Sequence, residues 1–256
     1  MSEEPKKSQY KKPILITVAV LLLGGIGVFA ALNYQFLADT LAGLGYTPEG
    51  EVANIKSALD LNATGERIFN ATRPTLNSES EFNDVCNAHE SGTSVLGCYT
   101  NREIHIYNIS SDELKGIKES TAAHELLHAA WARLSQSEKD RLSELLNKVY
   151  ADESYHALLE SDLKNYSDAE RLDELHSRVG TEIKALPEEL ETHYAAYFND
   201  QDKIVGFYES YIKPFNELKA KIEALGKAIT ELRETINSKS TEYENRANTL
   251  NLFSYR

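Results

Sequence analysis

Residues 120–134 read STAAHELLHAAWARL, and no other stretch restricts the fold as tightly. Ala122, Ala123, Leu126, Leu127, Ala129, Ala130, Trp131 and Leu134 are good helix formers or large apolar groups, and neither Gly nor Pro interrupts them. They occupy nearly the whole circumference, which places such a helix at the centre of a domain. The same helix carries His124, Glu125 and His128 in the pattern H-E-x-x-H. Buried charge of this kind needs compensation. One helical turn separates the two imidazoles, so both can reach a single metal ion, and zinc is the expected one. Glu125, displaced around the helix, is placed to take a proton from water rather than to complete the ligand shell.

Residues 14–32 form an apolar run in which Thr17 is the one conventional polar side chain, long enough to cross a bilayer as a helix. Lys6, Lys7, Lys11 and Lys12 precede it, which predicts a single pass with residues 1–13 as a cytoplasmic tail and the rest of the chain extracytoplasmic. A cleaved signal peptide is the rival reading, but its apolar core would be unusually long. The net charge of −13 lacks the basic footprint that a nucleic-acid partner requires. Two cysteines, Cys86 and Cys98, lie on the exported side, where an even count predicts one disulfide.

Along the rest of the chain, residues 33–46 read as a connector whose Leu37, Leu41 and Leu44 extend the anchor helix or lie on the membrane surface. Residues 47–212 then read as one domain. Short helices are expected at 47–59, with Pro48 at the first helical position, at 64–71, and after the Ser78/Glu81 capping box. Residues 95–99 and 103–109 are rich in β-formers and predict a hairpin carrying Cys98, whose exposed edge could accept an extended peptide. Capping boxes at Ser135/Glu138 and Ser167/Glu170 start further helices, and Pro187 begins another. In residues 213–256, Leu218, Ile222, Leu225, Ile229, Leu232 and Ile236 recur at spacings of four and three, and the register continues through Lys239, Tyr243, Arg246 and Leu250. This coiled-coil-like seam (218–250) either zips with another subunit or folds back on residues 187–212.

A catalytic zinc needs a third protein ligand and an open position. The residues after His128 offer none, which turns attention to residues 170–182, ERLDELHSRVGTE. His124-Glu-Leu-Leu-His128 followed by Glu174-Leu-His-Ser resembles the gluzincin arrangement of zinc metallopeptidases, over residues 95–198. The resemblance implies a mainly α fold with a small β-hairpin or sheet (α+β, zincin-like). It also implies Zn2+ held by His124, His128 and Glu174, with Glu125 as general base in hydrolysis of a peptide or protein substrate at the cell envelope. Position 178 is Arg where that family has Asp. On the stripe of Leu172, Leu175, Val179 and Ile183, His176 lies nearer the centre than Glu174, which makes it a rival ligand or a catalytic oxyanion donor; Glu170, Glu182 and His193 are lesser ligand candidates, and Tyr194 a second donor candidate. The alternative is a non-catalytic surface module with a structural zinc and an assembling tail.

Overall fold

The computed structural model describes residues 11–86, 95–163 and 166–254; Lys6 and Lys7 of the expected cytoplasmic tail lie outside them. Helix α1 (Lys11–Leu32) contains the apolar run and gives way to α2 (Tyr34–Ala42) at Asn33, whose side-chain amide donates to the Phe29 carbonyl at 2.9 Å. Among the described residues no single helix is long and apolar enough to cross a membrane; Val20–Leu32 and Tyr34–Ala42 meet that test together, as a pair bent by 75°.

The expected connector is therefore structured. On α2, Asp39 is buried, and the Arg133 guanidinium donates to both of its carboxylate oxygens at 2.8 and 2.9 Å. Arg133 also donates to the Tyr99 hydroxyl at 3.1 Å and the Ala129 carbonyl at 2.7 Å, so α2 is locked to the end of the central helix and to the sheet. Removing one partner of a buried pair like this costs about 3–5 kcal/mol, because the other charge stays behind.

Helices α3 (Gly50–Leu59) and α4 (Ala63–Thr72) follow, the second capped by Asn62, whose side chain accepts from the Thr64 and Gly65 amides. Strand β1 (Thr75–Asn77) was not legible as a strand; three residues carry no periodicity, and only pairing with a neighbour defines them. Then come α5 (Glu79–Cys86), β2 (Gly97–Thr100) and β3 (Glu103–Tyr107). The expected hairpin is β2–β3, antiparallel with Cys98 opposite His105, and β1 adds parallel to β3 with Thr75 opposite His105, giving the order β1-β3-β2. A disulfide joins Cys86 to Cys98, tying the end of α5 to β2.

After a 3-10 turn at Asp112–Leu114, α6 (Ile117–Trp131) enters the middle of the domain. The helices after it are α7 (Gln136–Tyr150), α8 (Glu153–Leu163), α9 (Asp168–Glu182), α10 (Glu188–Tyr194) and α11 (Gln201–Ser254). On α6, Ala122, Ala123, Leu126, Leu127 and Ala129 have no exposed surface, and the helix packs on α3, α4, both hairpin strands, α9 and α11. Capping boxes start α7 and α9, each with a Glu carboxylate accepting from the amide of its Ser135 or Ser167 cap. Gly180 lets α9 approach: a Cβ there would lie 2.5 Å from both Leu127 and Tyr194. The boundary expected at 212/213 falls inside α11, which runs without a break through Pro214.

Candidate metal centre

Two helices build the site. On α6, His124 and His128 point their Nε2 atoms at one another 3.1 Å apart, and on α9 Glu174 brings Oε2 to 3.5 Å from the first and 3.3 Å from the second. Two imidazole nitrogens facing each other at that distance demand a shared proton or a cation between them. Ligand atoms held 2.0–2.1 Å from a tetrahedral ion stand about 3.3 Å apart, so the observed separations match the edges of a zinc shell. The donor set of two imidazoles and one carboxylate is also one that zinc takes, and among the described residues this is the one such group of His, Cys, Asp and Glu side chains.

Electrostatics prepare the three groups. Burial works against a charged His124, but Glu174 outweighs it and holds the imidazole above its ordinary value; His128 stands well above its own because hydrogen bonds to Asp173 and Glu174 overcome the same burial. Burial likewise pushes the Glu174 carboxyl upward, and the two histidines reverse that, holding it well below the usual carboxylate range. The trio is therefore an ion-paired cluster whose imidazoles must shed protons to bind a cation.

Asp173 is a residue that the sequence reading missed. His128 Nδ1 donates to its carboxylate at 2.8 Å, which keeps a ring proton on Nδ1, so the proton that must leave for a cation to bind is the one on Nε2, facing the cluster. The carboxylate comes from the position just before Glu174, not from position 178; Arg178 instead pairs with Glu182 at 2.9 Å and donates to the Leu158 and Leu159 carbonyls. Asp173→Asn is expected to weaken zinc binding about 10–100-fold, read by competition with a chromogenic chelator, while the fold stays intact.

The structure does not bring His176 to the cluster, either as a ligand or as an oxyanion donor. It is wholly buried, stacks near Trp131 with ring centroids 5.1 Å apart, and shares one N–H with His193 across 2.8 Å between Nε2 atoms. At about 100° per residue it lies about 200° around α9 from Glu174, so the leucine stripe that favoured it faces the apolar core and points away from the two metal-site imidazoles. The face that does line the pocket is Glu174, Arg178, Thr181 and Glu182, an i, i+4, i+7, i+8 set that was readable as such. Tyr194 is turned away as well, its hydroxyl donating to the His176 carbonyl at 2.8 Å. Glu170 is occupied as a capping residue.

Burial, then Arg141, push His193 down to about 4. A histidine whose folded pKa lies below its unfolded value of about 6.5 binds fewer protons in the native state, so stability is lost as pH falls from ~6.5 to ~4, by up to about 3 kcal/mol. Urea midpoints across that range should drop for the wild type and drop less for His193→Phe.

A pocket of about 350 Å³ opens on the cluster, walled by Val95, Leu96 and Gly97 of the sheet side, by His124, Glu125 and Glu174, and by Tyr166, Tyr208 and Tyr211. Glu125 is 5 % exposed and faces Gly97. A Cβ at position 97 would sit 2.5 Å from Thr121 Cγ2 and 2.9 Å from Glu125 Oε1, so only glycine lets β2 pass this close to the carboxylate. Gly97→Ala is expected to retain zinc but lower any hydrolytic turnover on the order of 100-fold, since a shift of about 1 Å in a reacting group costs that much. Compared with protein-family models, with curated proteins and with solved structures, the chain finds no match in any of the three.

Proposed function

We propose that this chain is a membrane-anchored zinc metallopeptidase that hydrolyses peptide bonds on the outer side of a cell membrane. The observation that carries the reading is the convergence of His124 Nε2, His128 Nε2 and Glu174 Oε2 at zinc-shell separations beside a pocket that also contains Glu125. His124, His128 and Glu174 would hold the ion, with Asp173 orienting His128. Zinc supplies Lewis acidity there, which makes water nucleophilic near neutral pH and polarises a carbonyl.

The chain's own groups do the rest. Glu125 accepts the proton of the attacking water and returns it to the departing amine, a role suited to a carboxylate that borders the cavity but stands outside the trio. β2 is paired with β3 on one side and has no strand on its other side among the described residues, so an extended substrate can add there by backbone hydrogen bonds, next to Glu125. The pocket phenols of Tyr166, Tyr208 and Tyr211 replace His176 and Tyr194 as the source of an oxyanion donor. The lysines before the apolar run and the apolar run itself in α1 support an anchor with its N-terminus in the cytoplasm.

A structural zinc would need a fourth protein ligand, and none joins the trio among the described residues. The test is zinc content measured together with cleavage of a mixed peptide library, before and after chelation. Cleavage that disappears with the metal and returns with added zinc supports the reading; a zinc-loaded chain that cleaves nothing would favour the structural role.

A further inference from the structure

The stripe of apolar residues on α11 has three successive fates. Ile204 is buried in the core, Tyr208 and Tyr211 line the pocket, and from Phe215 onward nothing among the described residues covers it. Leu218, Ile222, Leu225, Ile229, Leu232 and Ile236 are each 51–64 % exposed, so the helix does not fold back on the domain but projects from it. At ~1.5 Å per residue, residues 215–236 make a rod about 33 Å long with one apolar side.

We propose that residues 215–236 pair, parallel and in register, with the same segment of a second copy of this chain. The spacing assigns Phe215, Ile222, Ile229 and Ile236 to heptad position a, and Leu218, Leu225 and Leu232 to position d. β-Branched residues at a with leucine at d are the combination that packs as a parallel two-stranded coil.

The flanking charges point the same way. Lys219 and Arg233 occupy e positions and Lys221 a g position, with no acidic residue at either position between 215 and 236. In the parallel register each g residue meets the e residue five places on in its partner, which gives Lys221 opposite Gly226 and Ala228 opposite Arg233, with no like-charge contact. The antiparallel arrangement that matches a with d layers sets Leu218 against Ile236 and Leu225 against Ile229. It also faces Lys219 with Arg233 twice, once at each end, which is repulsive. Lys239 and Arg246, at the next d positions, end the zipped length at about three heptads. A seam that short is helped by confinement of both copies to one membrane, which raises their effective concentration. Pairing from Phe215 places the two pockets, with Tyr208 and Tyr211 in their walls, at the same end of the zipper.

The experiment uses the full chain in membranes, with Leu218→Cys and Ile236→Cys made separately and the native disulfide kept. Mild oxidation is expected to link each variant to itself, giving a doubled mass on a non-reducing gel. In the antiparallel alternative two residues 218 would be about 27 Å apart, and only a mixture of the two variants would link; that result overturns the proposal. In detergent the wild type should sediment as two chains and Ile222→Glu/Ile229→Glu as one, with zinc content per chain unchanged in that variant. A wild-type mass of one chain or three, or an unchanged mass in the double variant, also overturns it.

Discussion

Glu125→Gln is expected to keep its zinc and to lose peptide hydrolysis by about 10²–10⁴-fold, the contribution typical of a positioned general base. The amide has nearly the shape of the carboxylate, so it fills the same narrow space against Gly97 and should leave β2 where it is. What it lacks is the ability to take a proton from water. The measurement pairs metal analysis with initial rates on a cleavable peptide. Loss of both metal and rate would mean that Glu125 supports the site structurally, and an unchanged rate would remove it from the chemistry altogether.

Glu174→Ala should fail at an earlier stage, at the metal. Deleting one of three ligands is expected to weaken zinc binding more than 100-fold, beyond the 10–100-fold range for an outer partner such as Asp173. It also leaves two half-buried imidazoles without the carboxylate that pairs with both of them. Chelator competition on Glu174→Ala, Asp173→Asn and wild type side by side reads the order directly. Equal affinities for Glu174→Ala and wild type would show that this carboxylate is not a ligand, and the catalytic reading would lose its third donor.

The parts that were legible in the residues share one property: their signal is local. The central helix was visible because its apolar residues cover every side, and α6 is buried at those positions. The capping boxes at Ser135 and Ser167 were visible because both partners lie within one turn, and both form. The β2–β3 hairpin was visible because its two strands are separated only by a short turn. β1 was not, since its pairing with β3 spans 30 residues from Thr75 to His105.

The site shows the same division. H-E-x-x-H stands one helical turn apart and needs nothing but α6 to bring its histidines together. Choosing between Glu174 and His176, and finding Asp173 at all, was a different matter, because neighbours on one helix point in different directions, and the helix's rotation against α6 decides which of them meet the imidazoles. That rotation depends on core packing, including the close approach at Gly180, and not on any pattern within residues 168–182. The docking of α2 through Asp39 and Arg133 joins residues 94 positions apart and left no trace in either segment.

The sequence by itself determined most of the helices of the domain, that one of them had to be buried with two histidines and a glutamate on it, and that residues 218–250 carry a heptad seam. The tertiary structure decided which carboxylate meets the histidines, which one orients them, how close β2 comes to Glu125, and that the seam stands uncovered. Periodicity and capping act over a turn or two of chain, whereas a site shared by two helices exists only once their packing has set one against the other.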